Sequence, residues 1–181
     1  MNRKIQFGAG HLPLPAPWEN YDADVPIDKP LDPRRFPNGC AEIVFAEMVC
    51  EHIKPQEAWS FLDECHRILR PGGLIRIVIP DFSMTWRLKD PDWLRVNSGV
   101  ATADGSWKDN MRSVLFGHGH QGLWNSQLLK DVLEAIGFSD VRIHRAGESD
   151  RPELRGLEQH GKSVGDKVAY SESGCVEGVR P

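Results

Sequence analysis

Short apolar runs along the chain alternate with two longer stretches in which the apolar residues have helical spacing. The strand-like runs lie at residues 4–7, 18–22, 43–45, 74–79, 141–143 and 175–179, with a further short strand expected near Ile27. Runs of this length that contain β-branched and aromatic residues favour strands over helices. The pattern therefore predicts several short, largely buried strands.

Two helices are predicted, over residues 55–69 and from Asn125 onward, because apolar residues recur there every three or four positions. Pro55 is acceptable in a first helical turn, and Pro71-Gly72-Gly73 turns the chain after the first helix. Asn125 is a good N-cap, and Gly137 stands where a helix-ending glycine belongs. A strand, a helix and a strand in succession predict a right-handed crossover with parallel strands, and hence an α/β fold.

A glycine pair, Gly8 and Gly10, follows the first predicted strand, and prolines then occupy every second position from Pro13 to Pro17. These prolines exclude a helix, because each ring removes a hydrogen-bond donor and clashes with the preceding turn. A dinucleotide-binding loop needs a third glycine where Pro13 stands, and a helix N-terminus facing the diphosphate. Besides an ordinary tight turn, the loop therefore suits a cofactor that carries adenosine and an amino-acid tail.

Composition narrows the class of protein. The chain has 181 residues, 40% hydrophobic and 27% charged, which predicts one soluble globular domain. A net charge of −4 with dispersed basic residues argues against a nucleic-acid partner. The four cysteines form no C-x-x-C pair, which favours a reducing compartment. Because no apolar stretch suits a signal peptide or a membrane span, we expect a cytoplasmic location.

Acidic residues follow the second predicted strand. Asp22 stands at its end, on the carboxyl edge where open α/β sheets bind ligands. A carboxylate there can accept hydrogen bonds from both hydroxyls of a ribose, and Asp24 is an alternative for the same role. Asp28 and Asp32 in the next loop are alternatives for contact with an adenine amine. Each of the four is also explained as a solvated turn residue.

Five segments of the chain form a recognisable ordered set. They are FPNGCAEIVF at 36–45, EMVCEHI at 47–53, ECHRILRPGG at 64–73, LIRIVIPD at 74–81 and LEAIGF at 133–138. Taken in this order, they resemble class I S-adenosylmethionine-dependent methyltransferases. The LRPGG sequence before a strand is the most recognisable of them. The chain is most similar to a small bacterial branch that is often linked to surface-polysaccharide or secondary-metabolite pathways.

This resemblance implies a Rossmann-like three-layer sandwich with a mostly parallel, seven-stranded sheet and an antiparallel last strand. Residues 1–181 would form a single domain, with 83–117 as an insert on the acceptor side. S-adenosylmethionine would be the cofactor and S-adenosylhomocysteine the product. The cofactor-binding residues that the resemblance implies are Phe7, Gly8, Ala9, Gly10, Asp22, Asp28, Ala46, Glu47 and Met48. Two positions depart from the family: Gln6 replaces a frequent acid, and Leu12 replaces a third glycine.

Catalysis of methyl transfer depends mainly on placing the acceptor atom behind the methyl group and on excluding water. A base helps when the acceptor is a hydroxyl, and the candidates are Glu47, His118 and His120; His52 is more simply explained as a structural hydrogen bond or cap. His118 and His120 could bind a metal, but no third ligand is evident. We therefore predict a loop over the cofactor and no metal site.

Four tryptophans, Trp86, Trp93, Trp107 and Trp124, are candidates either for an acceptor pocket or for core packing. The predicted function is methyl transfer to an oxygen or nitrogen of a small-molecule or glycan acceptor, and a homodimer stays open. One alternative is another nucleotide-binding enzyme such as a dehydrogenase, which Pro13 disfavours. The other is a non-catalytic methyltransferase-like binding or scaffold subunit, which Gln6 and the proline-rich loop keep open.

Overall fold

The computed structural model describes residues 3–83, 116–166, 169 and 172–181. Its strands are β1 (Arg3–Phe7), β2 (Trp18–Tyr21), β3 (Ala41–Glu47), β4 (Leu69–Pro80), β5 (Ser139–Arg145) and β6 (Ser173–Val179). Its α-helices are α1 (Pro55–Ile68), α2 (Ser126–Ile136) and the single turn α3 (Gly161–Val164). Within these described residues, 3-10 helices span Cys50–His52 and Pro152–Leu154.

The strands form one sheet in the order β2-β1-β3-β4-β6-β5. Strands β1 to β4 are parallel, whereas β6 is antiparallel to both of its neighbours. The predicted α/β fold with an antiparallel last strand is therefore confirmed. The described residues contribute six strands to the sheet, one fewer than the seven expected. Around Ile27 the chain forms turns, because Pro26 and Pro30 have no N–H group to donate to a strand ladder.

Helices α1 and α2 cover one face of the sheet. Five α1 residues (Ala58, Phe61, Leu62, Cys65, Ile68) and three α2 residues (Leu129, Val132, Leu133) share one buried apolar cluster with Ile75, Ile77 and Ile79 of β4. Alternate residues of a strand share a face, so these three isoleucines form one apolar row on the side of the sheet that the helices cover. The side chain of Asn125 accepts the Leu128 N–H at 2.8 Å, and Gly137 ends α2 with φ of +117°. Both ends of α2 therefore form as the sequence predicted.

Irregular segments cover part of the opposite face. Leu14 and Leu157 belong to an apolar cluster with Phe45, Val78 and Cys175, and neither lies in a helix. The expectation that prolines keep the loop after β1 out of a helix is therefore met. A cover of this kind depends on individual hydrogen bonds, since it has no helical backbone ladder of its own.

Gln6 supplies those hydrogen bonds to the proline-rich loop. Its side-chain oxygen accepts the Leu14 N–H at 2.8 Å, and its side-chain nitrogen donates to the Leu12 carbonyl at 3.4 Å. Asn20 on β2 adds two more bonds to the backbone of Leu14. A carboxylate could only accept. The Gln6 departure from the family pattern therefore has a structural explanation in how this loop is held.

The interpretation of 83–117 as an acceptor-side insert falls mostly on residues outside those described, as do Trp86, Trp93 and Trp107. Within the described ranges, no helix is both long enough and apolar enough to cross a bilayer. All four cysteines are free thiols.

Candidate functional site

The glycine loop and the end of β2 lie together at the carboxyl edge of the sheet. The Ala9 N–H donates to the carbonyl of Tyr21 at 3.1 Å, and the Leu12 N–H donates to the Ala9 carbonyl at 2.8 Å. Gly8 and Gly10 have positive φ values of 70° and 50°, which other residues rarely adopt. The loop is thus bent back on itself beside the residue that follows Tyr21, which is Asp22.

Gly8 also brings the loop against the segment that follows β3. A Cβ atom at Gly8 would lie 2.2 Å from a methyl carbon of Val49, so no larger residue fits there. At Gly10, in contrast, a Cβ atom would meet no heavy atom of the described residues within 4 Å. Met48, before Val49, has φ of +53° and donates its N–H to the Val78 carbonyl at 2.9 Å. Gly8 therefore lets the loop pack closely against Val49, whereas the backbone of Gly10 faces open space.

Two of the four candidate acids are already engaged within the protein. Asp24 accepts from the Arg35 guanidinium at 2.8 Å, and Asp32 forms an ion pair with Arg34 at 3.1 Å. Asp22 and Asp28 are exposed, and no hydrogen bond joins their side chains to the residues that the structure describes. The two acids that the resemblance implies are thus the two with carboxylates available for a ligand.

Phe7, Ala9 and Ala46 contribute little side-chain surface to this edge. The side chains of Phe7 and Ala46 are fully buried in the core, and Ala9 is almost so. Any contact that these residues make with a ligand would use the backbone.

Glu47, at the end of β3, holds the C-terminal part of the chain. Its two carboxylate oxygens accept the backbone N–H groups of Gln159, at 2.7 Å, and His160, at 3.1 Å. Burial raises the pKa of Glu47, although these two donors act in the opposite direction. A second link joins the same region to the glycine loop, where the His11 ring lies 3.3 Å from the Ser163 hydroxyl. These two hydrogen bonds hold the Glu47 carboxylate against the backbone of residues 159–160.

The histidine loop lies beside the 3-10 helix at Cys50–His52. The rings of His52 and His120 are 5.0 Å apart between centroids, and those of His118 and His120 are 5.7 Å apart. The backbone N–H of Gln121 donates to the Glu51 carbonyl at 2.7 Å, and its side-chain amide donates to the His52 carbonyl at 2.6 Å. The two predicted histidines thus join His52 in one group, near the end of β3.

Glu51 belongs to this group and was not among the predicted site residues. Its side chain is buried, and one carboxylate oxygen lies 3.8 Å from the His52 ring nitrogen. The other oxygen has no hydrogen-bond partner among the residues that the structure describes. Burial raises the pKa of Glu51 to about 8, and the nearby Glu47 adds to the effect. The adjacent Glu51-His52 pair was the only feature of the sequence that could have indicated a role for Glu51, and a structural hydrogen bond or cap was its simpler explanation.

Trp124 packs in the core, and its ring N–H donates to the Cys50 carbonyl at 3.2 Å. Of its two explanations, packing is therefore the one that the structure supports.

Comparison with known proteins gives independent evidence on the fold. A family described as a methyltransferase domain matches residues 26–77. A solved SAM-dependent methyltransferase from Archaeoglobus fulgidus is 15% identical, with a TM-score of 0.55 over 98% of this chain and 86% of that one. Phosphoethanolamine N-methyltransferase 2 from Haemonchus contortus is 13% identical, with a TM-score of 0.56 over 99% of this chain and 49% of that one.

The CMeT domain of the citrinin polyketide synthase is 16% identical, with a TM-score of 0.55 over 99% of this chain and 46% of that one. The chain thus spans about half the length of the last two structures. No curated protein matches it by sequence. Together, the domain match and the shared architecture confirm the predicted fold class and the resemblance to class I methyltransferases.

Proposed function

We propose that this chain is an S-adenosylmethionine-dependent enzyme that transfers a methyl group to an oxygen or nitrogen of a small molecule or sugar. The observation that carries the proposal is the meeting of the glycine loop, Asp22 and the Met48-Val49 turn at one edge of the sheet. Open α/β sheets bind their ligands at this edge. The loop has no helix to receive a diphosphate, which favours a cofactor without one.

The available side chains fit the parts of such a cofactor. Asp22 would accept hydrogen bonds from both ribose hydroxyls, and Asp28 would accept one from the adenine amine. Gly10, which borders open space, would let the methionine part approach the backbone. When bound, S-adenosylmethionine supplies a methyl group on a sulfonium, which leaves as a neutral thioether.

The acceptor would approach from the side of the histidine loop. Among the three candidate bases, we assign His118, because its side chain is exposed at this loop. Glu47 is the weaker candidate, because its buried carboxylate holds the backbone of Gln159 and His160. A base there would take the proton of an acceptor hydroxyl as the new bond to carbon forms.

Calorimetric titration with S-adenosylhomocysteine tests the cofactor site. We expect saturable binding by the wild-type chain and at least about tenfold weaker binding by Asp22→Ala, since hydrogen bonds to a charged group are worth about 1.5–3 kcal/mol. The matched control is Asp63→Ala, which removes an exposed carboxylate from α1 and should leave the affinity unchanged.

Other outcomes would favour the alternatives. If the folded wild-type chain binds no S-adenosylhomocysteine, the non-catalytic binding or scaffold role becomes the better explanation. If it binds NAD instead, the dehydrogenase alternative does. If it binds S-adenosylhomocysteine, transfer of a labelled methyl group to candidate sugars and small alcohols or amines then tests the acceptor class.

We also propose a cytoplasmic location. The four cysteines are free, and three of them are buried. Unpaired thiols of this kind are typical of a reducing compartment.

A further inference from the structure

Glu51, His52 and His120 place three metal-ligating groups around one point. One carboxylate oxygen and one nitrogen from each ring all lie within 4.8 Å of one another. The two histidines come from segments far apart in the sequence, so local chain geometry alone does not bring them together.

The buried carboxylate of Glu51 supplies an independent sign of a ligand. Its side chain is only 3% exposed, and its Oε2 atom has no hydrogen-bond partner within residues 3–83, 116–166, 169 and 172–181. A buried carboxylate oxygen without a partner is costly, and a bound ion is one of the few reasons for which native structures keep one. The second carboxylate oxygen of Glu51, Oε1, lies 3.8 Å from Nε2 of the His52 ring.

The backbone around the three side chains is held in place. The N–H groups of Gln121 and Gly122 both donate to the Glu51 carbonyl, at 2.7 and 3.1 Å. The Trp124 ring N–H donates to the Cys50 carbonyl at 3.2 Å. This bond joins the same two chain segments at the residues next to those already paired. Because the segments are fixed, little backbone rearrangement would be needed to bring the ligands together.

We propose that Glu51, His52 and His120 form a binding site for a divalent transition-metal cation of the zinc type. Two imidazoles and one carboxylate are a donor set that zinc and similar ions accept. Ligand atoms around zinc lie about 3.3 Å apart, given metal–ligand distances of about 2.0–2.2 Å. The distances between the three ligand atoms, at most 4.8 Å, would therefore have to shorten by only about 1.5 Å. Rotation of the side chains can supply this change.

Partial exposure gives the site an open position. The His52 side chain is exposed and His120 is partly exposed, whereas Glu51 is buried on the side of the site away from solvent. A fourth ligand, water or an oxygen of a bound molecule, would enter from the solvent side. The sequence led us to expect no metal because His118 and His120 lack a third ligand nearby in the chain; in the structure, Glu51 and His52 complete the set with His120.

Zinc titration of the chelator-treated chain, in competition with a chromophoric chelator, tests this site without any cofactor. We expect one Zn²⁺ per wild-type chain and a zinc-dependent rise in Tm. Glu51→Gln and His120→Ala should each weaken zinc binding by more than about tenfold. The matched control is His118→Ala, in the same loop but outside the set of three, which should stay within about twofold of wild type.

Circular dichroism establishes that each variant is folded before its affinity is compared. The proposal is overturned if the folded wild-type chain binds no zinc. It is also overturned if Glu51→Gln and His120→Ala bind as tightly as wild type, which would assign the metal to thiols or other surface groups. A loss in His118→Ala without a loss in His120→Ala would move the site and contradict the assignment.

Discussion

Gly8 and Gly10 share a left-handed backbone but differ in what surrounds them. At either position, alanine would be held at a positive φ, which costs about 1 kcal/mol of stability. Only at Gly8 does the added methyl also meet Val49, at 2.2 Å, whereas at Gly10 it meets nothing within 4 Å. We expect Gly8→Ala to destabilise the fold by about 2–4 kcal/mol, and Gly10→Ala by about 1 kcal/mol. Urea denaturation of the two variants measures the difference.

A double variant separates the steric part from the strain. In Gly8→Ala/Val49→Ala the clashing methyl is gone, so part of the loss should be recovered relative to the sum of the two single variants. Additive losses would mean that Val49 is not what makes Gly8 necessary.

Asp81 shows how one carboxylate joins β4 to the start of α2. It accepts the backbone N–H groups of Ser83 and Ser126, both at 3.0 Å, and the Ser126 hydroxyl at 2.6 Å. Burial alone would raise the pKa of Asp81, but the hydrogen bonds outweigh burial and hold this pKa below its ordinary value. Because the pKa is lowered by folding, the stability that the ionised group contributes is present above the unfolded pKa of about 3.9 and is lost as pH falls through the folded pKa.

Asp81→Asn should therefore destabilise the chain by about 1–3 kcal/mol at pH 7, because an amide NH₂ faces backbone donors. The difference from wild type should shrink at a pH near 3, where the wild-type carboxylate is also becoming protonated. Urea denaturation of both proteins at the two pH values measures this change. An equal difference at both values would show that ionisation of Asp81 contributes nothing.

The position of a single residue was predictable where it depends on a strand end. Asp22 was expected at the end of the second strand and directly follows β2, and its role in binding a cofactor stays a prediction. The partners of Glu47 did not follow, because Gln159 and His160 lie more than 100 positions away. The grouping of Glu51 with His120 likewise depends on how a distant loop docks, which no local pattern encodes.

The ends of α2 are set by local chemistry, and its stability can be tested there. The Asn125 side chain accepts the Leu128 N–H, one of the donors that a helix start leaves unpaired. Asn125→Ala should cost about 1 kcal/mol of unfolding free energy. Gln127→Ala, on the exposed side of the same helix, is the control and should stay within about 0.5 kcal/mol of wild type. Equal losses in thermal or urea unfolding would contradict a specific capping role.

The bounds of helix α1, which has a strongly periodic sequence, were predicted closely. The bounds of strand β4 were not, because they depend on pairing with other segments. Helix α1 spans Pro55–Ile68, close to the expected 55–69. Strand β4 was expected at 74–79 but begins at Leu69, because Leu69 pairs with Ala41 and Gly72 bonds to Arg180. Glycine and proline suggested a turn there, and they do interrupt the ladder: Gly72 has φ of +75°, and the pairing with β3 jumps from Ala41–Leu69 to Ile43–Leu74.

At the scale of the whole molecule, a buried charged cluster fastens the C-terminal part of the chain to the sheet. Arg76 on β4 is directly opposite Glu177 on β6, and both are fully buried. The Arg76 guanidinium donates to both Glu177 and Glu158, and Ser149 donates to Glu177 at 3.0 Å. An isolated arginine in the apolar run LIRIVIP gave no sign of this, because its partners lie more than 70 positions away.

Removing the Arg76 charge should be far more damaging than removing an exposed one from the same strand. Arg76→Met leaves the carboxylates of Glu158 and Glu177 buried without their shared cation, and breaking a buried pair in this way costs about 3–5 kcal/mol. Arg70→Met, at the exposed start of β4, should change stability by less than about 0.5 kcal/mol. Urea denaturation of the three proteins at pH 7 gives both differences.

The same cluster predicts where the Arg76→Met damage appears first. Residues 148–160 contact the sheet through these charges, and through Glu47 they reach the candidate cofactor edge. Hydrogen exchange should therefore show the backbone of this segment opening in Arg76→Met while α1 and α2 stay protected, because the helical face depends on apolar packing instead. Uniform loss of protection across both faces would mean that the cluster stabilises the domain as a whole rather than holding this segment on it.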